Sequence, residues 1–512
     1  MKLALSHLIS EIDGYAKNTL GIPPVELMDR SGAAVENAVR SYAQQGGAVA
    51  ILAGKGNNGG DGYAAAVRLM GDYKVKVYDV FGEGQRTEEG RHFLSLFLER
   101  GGAVEGLTLS EEQRSEIKSA SCIVDAVFGT GFRGEVPELV RELSTVVRES
   151  LGAAKIAVDV PMGVSADDGS VDDSATPMHA TVELSFIKPG IVSYPARSFT
   201  GKIIYDALGL PKEEIEKQFD FKYHLTDWEY ARASLPRRAL DSNKGSFGKT
   251  LLITGSERYR GAGRLSLEAA LRGGAGYVTF LGSPSLTEDF SRDYPEAIYK
   301  SAEVTEPDGM LLAEQLASLH TSVLIGSGSG NTEGLAHLTE RLLATEGGAL
   351  VLDADAINAI SVSESALSLI KNAKRPVILT PHPLEFARLT GHTVATVQKK
   401  RLAIAIRFAA ENKCILVLKG AGTVVTDGSE VYINSSGSSA LAKAGSGDVL
   451  AGFIASLAAQ NIPPLTAAAL GVYFHGAAGD TLAEEFSAYG VTPSDIPRQI
   501  ARLLARVENK NG

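Results

Sequence analysis

The sequence predicts two different α/β domains in tandem, each a mostly parallel sheet with helices on both faces. Three observations predict it. Short β-rich runs alternate with amphipathic helical segments in both halves. A charged, aromatic, Pro-containing stretch from Pro211 to Asp241 interrupts that alternation. The chain's 512 residues suffice for two large domains or about three smaller ones. The break places a boundary near residue 220 and the domains at residues 1–218 and 225–512.

In chain order, helical segments at Ser6–Leu20 and Pro24–Gln44 precede the first strand. Ala48–Gly54, Tyr73–Phe81, Ser121–Gly129, Lys155–Pro161, Ala180–Ile187 and Lys202–Asp206 read as strands, with helices such as Asp61–Met70 and Thr87–Arg100 between them. After the break, strands are expected at Lys249–Ser256, Gly276–Ser283, Ser322–Gly330, Ala349–Asn358 and Pro376–Pro383. The run ILVLKGAG follows, then a β-hairpin turning at Asp427-Gly428 and a helix opening at Gly445–Asp448. Strand–helix alternation of this kind gives an open sheet whose ligand crevice lies at the carboxyl ends of the strands.

The formal charge of −11 argues against a nucleic-acid partner, because phosphate backbones need a surplus of Lys and Arg. The 55 glycines exceed the usual share of about 7% and point to tight turns and close ligand approach. Two cysteines, Cys122 and Cys414, lie in apolar strand-like runs, which excludes a secreted disulfide framework and suits buried thiols in a reducing cytoplasm. The first twenty residues lack the continuous apolar centre of a signal peptide. Val449–Gly479 carries no charged residue and is long enough for a membrane span. Gln460, Asn461, Pro463 and Pro464 interrupt it, so two buried helices joined by a turn are expected, and no membrane association.

In the first half, Gly54–Gly62 (GKGNNGGDG) joins a strand to a helix. It contains the spacing of a dinucleotide-binding turn, with Asp79 ending the next strand. Consecutive glycines let backbone N–H groups converge on an anion at a helix start. The paired Asn57 and Asn58 and the acid Asp61 go beyond that turn, and their amides suit a cation or a carboxamide. Asp125 and Asp159 end two further strands and should converge with this loop. Gly129–Glu135 is a second Gly-rich loop, with Arg133 available for another phosphate.

Through GKGNNGGDG, VDAVFGTGFRG, VDVPMG and FIKPG, residues 1–215 resemble the NAD(P)H-hydrate epimerase family. The resemblance implies a Rossmann-like three-layer sandwich that exchanges the C6 epimers of hydrated NADH and NADPH. It implies substrate contacts from Asn57, Asn58, Gly59, Gly60 and Asp61 and from Gly129, Thr130, Gly131, Phe132, Arg133, Gly134 and Glu135. Asp159 would bind substrate and serve as the catalytic acid. A potassium ion would be held by Asn58, Asp125 and the backbone at Met162, where the family usually has Ser. The Asp29-Arg30-Ser31-Gly32 segment also departs from the family's usual Glu-x-Ala-Gly.

In the second half, Lys419-Gly420-Ala421-Gly422-Thr423 follows a strand, and Ala444-Gly445-Ser446-Gly447-Asp448 opens a helix. Glycine N–H groups there can hold phosphate. The carboxylate beside them repels phosphate and is better placed to take a proton from a hydroxyl that meets it. A simple helix cap is the alternative for Asp448, and a solvated strand end for Lys419. His382 could equally make a local hydrogen bond between its flanking prolines. The Gly-x-Gly-Asp opening resembles the ribokinase-like superfamily. Residues 225–512 resemble the ADP/ATP-dependent NAD(P)H-hydrate dehydratase family through NKGSFGKTLLITGS, YRGAGRLSLEAALRGGAGYVT, GSGSG, LDADAIN, TPHPLEFARL, KGAGT and AKAGSGDVLAG. Asn243 and Gly263 are its minor departures. The resemblance implies substrate contacts from Gly328, His382 and Asp448. Nucleotide contacts would come from Lys419, Gly420, Ala421, Gly422, Thr423, Gly445, Ser446 and Gly447. Asp448 would act at the reacting hydroxyl, with ADP or ATP as co-substrate and Mg2+ beside it.

Together the two resemblances imply one pathway: epimerisation of hydrated NADH and NADPH, then dehydration of the S form as ADP becomes AMP and phosphate. A cytoplasmic homo-oligomer is the expected setting. Two rival readings are a ribokinase-like small-molecule kinase, which would release a stable phosphorylated product, and a first half that binds dinucleotide without catalysis.

Overall fold

A computed structural model describes residues 1–82, 86–361 and 366–510, so the last two residues of the expected second domain lie outside the described residues. The chain divides into two compact units, one spanning Lys2–Tyr223 and the other beginning at His224 and including Met1.

The first unit is built on seven parallel strands. Across the sheet they run Ala103–Gly106, Lys74–Asp79, Ala48–Ala53, Cys122–Ala126, Ala154–Val158, Ala180–Leu184 and Lys202–Asp206. Side-chain alternation divides the core. Val49, Ile51 and Ala53 pack on one face with Val35 and Val39, while Ala50 and Leu52 pack on the other with Val140 and Leu143. A sheet buried on both faces needs such continuous apolar strands. The chain builds outward from Ala48–Ala53 to one edge, then returns to Cys122–Ala126 on its other side. That reversal opens a crevice beyond the carboxyl ends of these two central strands.

Here the structure corrects one expectation. The helix after the first strand begins at Asn57 and runs to Leu69, so Asn57–Asp61 is its first turn and not a loop before it. Close packing demands the glycines: a Cβ on Gly59 would overlap the Gly54 carbonyl oxygen. The helix start is thereby pressed against the strand end that feeds it.

The second unit has seven parallel strands, ordered Ile298–Ser301, Tyr277–Gly282, Lys249–Ile253, Ser322–Ile325, Ala349–Leu352, Val377–Leu379 and Ile415–Leu418. The antiparallel hairpin Val424–Thr426 and Val431–Asn434 extends the sheet beyond Ile415–Leu418. The strand expected over Ala349–Asn358 stops at Leu352, because Ala354–Ser361 is a helix packed through Ala356, Ile357, Ala359 and Ile360. The uncharged stretch forms two buried helices, Ser446–Ala459 and Pro464–Gly490, broken at the expected Gln460–Pro463 turn. Among the described residues no helix is long and apolar enough to cross a membrane. Both cysteines are free and buried.

Candidate functional sites

In the first unit, a cavity of ≈ 920 Å³ lies at the crevice where the strand order reverses. That is ample for a cofactor-sized ligand. Its walls include Asn57, Asn58 and Asp61 from the helix start, Gly129–Arg133 from the second loop, and Asp159. Gly59, Gly60, Gly134 and Glu135 belong to the same two segments but are not among the wall residues.

Asp159 follows the strand Ala154–Val158 in a left-handed conformation, φ +65°, uncommon for a residue with a side chain. Its Oδ2 accepts the Thr130 N–H at 3.0 Å, and its Oδ1 accepts from the Lys188 ammonium. Lys188 is fully buried and also pairs with Glu183 at 3.3 Å. Burial opposes the Lys188 charge, but Asp159 and Glu183 together hold its pKa above the ordinary value. Burial pushes the Glu183 carboxyl up to about 8, only partly offset by Lys188. The FIKPG block marked this segment in the sequence, yet nothing in it announced that the lysine turns inward between two acids. Ser185, one residue beyond the neighbouring strand, also has positive φ and lines the cavity with a buried hydroxyl that has no hydrogen-bond partner.

Asp61 is buried and its pKa is raised well above the ordinary carboxylate value, by burial first and by Asp159 next, with the Ser31 hydroxyl opposing. The unusual Ser31 therefore faces a proposed site residue. Arg133, expected to meet a phosphate, is instead paired with Asp167 at 3.0 Å and bonded to the Thr130 and Phe132 carbonyls. Phe132 stacks on Phe128 at 3.8 Å.

Of the residues expected around potassium, Asp125 meets the Met162 backbone, and Asn58 meets the Phe128 carbonyl. Asn58 donates from Nδ2 to the Phe128 carbonyl at 2.6 Å, which leaves its buried Oδ1 with no hydrogen-bond partner. Asp125 accepts the Val127 N–H at 3.2 Å and the Met162 N–H at 2.7 Å, and burial pushes its carboxyl up to about 7. Among the described residues, an amide oxygen without a hydrogen-bond partner and a buried carboxyl are donor types that fit a cation. The Met162 side chain is packed into the apolar cluster around Phe128 and adds no oxygen.

In the second unit, the expected Gly328, His382 and Lys419 sit with Asp353 at the carboxyl ends of four adjacent strands: Gly328 after Ser322–Ile325, Asp353 after Ala349–Leu352, His382 after Val377–Leu379, and Lys419 after Ile415–Leu418. Lys419 is half-buried and ion-paired rather than a solvated strand end. It pairs with Asp353 at 3.0 Å, and Asp353 with Glu385 keeps its pKa high against burial. Asp353 also accepts from Ser327 and Thr380, at 2.8 and 2.7 Å. The Gly447 position lies beside Lys419, since a Cβ there would be 3.3 Å from Nζ. Gly445, at φ +100°, turns the chain into the helix that carries Ser446, Gly447 and Asp448. The Thr423 hydroxyl bonds back to the Gly420 carbonyl at 2.9 Å, closing the loop around Ala421 and Gly422.

Asp448 lies in the first turn of its helix. Its carboxyl is pushed up to about 7 by burial first, then by Asp353, with Lys419 opposing and Asp355 and Glu385 adding to the rise. Among the described residues it has no hydrogen-bond or ion-pair partner, and the helix has no side-chain cap. His382 takes the local role weighed for it: Nδ1 accepts the Leu384 and Glu385 N–H groups, and Glu385 closes a capping box on the His382 amide. Asp353 and Glu385 lie outside the residues expected from the sequence, and the part of Asp353 in the site is set by its long-range partner Lys419.

Comparison with known proteins follows the same division. Residues 24–190 match the family described as YjeF-related protein N-terminus, and residues 250–502 the family NAD(P)H-hydrate dehydratase. The chain is 35% identical to the bifunctional NAD(P)H-hydrate repair enzyme Nnr of Moorella thermoacetica, over 100% of this chain and 98% of that protein. It is 32% identical to the enzyme of the same name from Escherichia coli, over 97% and 93%. A ribokinase-like superfamily protein from Enterococcus faecalis superposes on 56% of this chain and 98% of its own, at 26% identity and a TM-score of 0.50.

Proposed function

The chain belongs to the family of bifunctional NAD(P)H-hydrate repair enzymes, and we propose that its two sites divide that work: the Lys2–Tyr223 unit epimerises, the second unit dehydrates. The observation that carries the reading is the cavity that gathers Asn57, Asn58, Asp61, Gly129–Arg133 and Asp159 at the reversal of strand order, in a chain whose second unit sets Lys419 within electrostatic range of Asp448.

Hydration at C6 leaves a hydroxyl on the carbon next to the ring nitrogen. Exchange of epimers requires that this C–O bond break and re-form on the other ring face. Asp159 is the carboxylate we assign to the proton movement. Backbone N–H groups at the helix start and in Gly129–Arg133 suit the dinucleotide's phosphates. Asn58 Oδ1 and Asp125 would hold potassium, whose positive charge would steady the anionic groups of a bound dinucleotide. Exchange should therefore rise with potassium, and Met162→Ser, by adding an oxygen, should lower the potassium concentration that gives half the effect. A potassium titration of the exchange rate in both proteins checks this, and identical curves would remove position 162 from the site.

In the second unit, Asp448 would take the proton of the C6 hydroxyl as that oxygen attacks the terminal phosphorus of ADP, releasing AMP. Phosphate would then leave C6 as a proton is lost from C5, which restores the ring double bond. The Lys419–Thr423 loop and the Gly445–Gly447 helix start would hold the nucleotide. Mg2+ would neutralise the phosphates, and since no group of three or more acidic or imidazole side chains is arranged to hold a metal among the described residues, the nucleotide itself would supply most of its ligands. Dehydration assays with ADP and with ATP in turn decide the co-substrate, with ADP expected to be used faster.

A further inference from the structure

We propose that Asp13 is a second proton-transfer residue of the first unit, acting on the C6 oxygen in partnership with Asp159. The proposal rests on the epimerase reading above and adds the group that reading lacks. An epimer exchange needs a proton delivered to the departing oxygen and another removed from the water that adds on the other face. At the outset Asp159 fits the second task, because both its oxygens already accept, from Lys188 and from Thr130.

Asp13 projects from a different wall, the helix Ser6–Asn18, whose Ile9, Ser10, Gly14 and Lys17 also line the cavity. It is open to the cavity's solvent and, among the described residues, has no hydrogen-bond or ion-pair partner. A carboxyl with no structural duty, facing a ligand-sized space, is free to meet a ligand. Its surroundings also favour a held proton. Protein around it pushes its pKa up to about 6, against the attraction of Lys188 and with further help from Asp159. Asp61 lies within electrostatic range as well. Asp61 is the other cavity carboxyl with a raised pKa, but it is buried, whereas Asp13 is exposed.

The step balances. The ring nitrogen's lone pair forms the N1–C6 π bond as the C6–O bond breaks, and the departing oxygen takes the Asp13 proton and leaves as water. Water then adds to C6 from the opposite face, the π pair returns to nitrogen, and Asp159 accepts the added water's proton. The reverse direction uses the same two groups in exchanged order, and proton passage through the cavity water resets them. No oxidant, reductant or co-reactant is consumed.

The test uses the full chain with hydrated NADH and chirally resolved product analysis, comparing the natural sequence, Asp13→Asn and Asp13→Glu. Asp13→Asn should lower kcat for exchange about 10²-fold or more with KM within a fewfold, because the amide keeps size and polarity but cannot donate an acidic proton. Asp13→Glu should recover part of the rate. Nucleotide-dependent dehydration of the S form serves as the folding control and should be unchanged in both. Exchange by Asp13→Asn within a fewfold of the natural rate overturns the proposal, as does a loss appearing in KM alone. Absence of exchange in the natural sequence would instead overturn the epimerase reading itself, so the two failures are distinguishable.

Discussion

Asp448→Asn should lower the dehydration rate by about 10²–10⁴-fold, the contribution of a positioned proton acceptor, while nucleotide affinity stays close to that of the natural chain. The substitution keeps side-chain size and capping ability and removes the basic oxygen and its charge. The loops expected to hold phosphate are left intact, since Gly445–Gly447 precede the substitution and Lys419 keeps Asp353 as its partner. A helix-cap role predicts the opposite, because Asn caps about as well as Asp and both rate and stability would then survive. The absence of any side-chain cap on this helix already disfavours that role. The pH dependence has a definite sign. With the carboxyl pushed up to about 7, the base form is lost as pH falls through 7, so kcat/KM should rise across that region. Measuring rate and nucleotide affinity on one preparation of Asp448→Asn separates the two roles, and a rate within a fewfold of the natural one excludes Asp448 as the base.

The second large effect is expected at Asp159. Asp159→Asn should lower epimer exchange by about 10²–10⁴-fold and leave dehydration of the S form untouched. Asn is the informative replacement because Asp159 is half of a buried arrangement. Removing one partner of a buried ion pair costs about 3–5 kcal/mol, and Asp159→Ala would leave Lys188 with Glu183 alone. A thermal-unfolding comparison of the natural chain with Asp159→Asn shows how much of any loss is structural. Full-rate exchange by a folded Asp159→Asn protein would remove this residue from the chemistry.

Much of the fold was legible because both sheets are mostly parallel and covered on both faces, so that central strands such as Ala48–Ala53 and Ile415–Leu418 appear as unbroken apolar runs. Ala103–Gly106 and Ile298–Ser301 escaped notice for the converse reason. Both are short sheet-edge strands with largely exposed side chains and no apolar signal. The helix start at Asn57 was misplaced because glycine and asparagine read as turn formers, whereas here tertiary packing against Gly54 makes small residues necessary inside the first turn. Strand-end geometry accounts for Asp159 lining the same cavity as Asn58, both close to Gly129. What the sequence did not disclose were side chains defined by long-range partners: Lys188 between two acids, Asp353 beneath Lys419, and Asp13, which comes from a helix lying outside every Gly-rich motif.

The most direct measurement of the division of work is chirally resolved analysis of each purified epimer of hydrated NADH incubated with the full chain, first without nucleotide and then with ADP. Starting from either pure epimer without nucleotide, both forms should appear and nothing should be dehydrated. With ADP, both forms should disappear completely into NADH, with one AMP and one phosphate released for each. Accumulation of a stable phosphorylated hydrate, or an R form that persists while the S form is consumed, would contradict the assignment of epimerase and dehydratase chemistry to this chain.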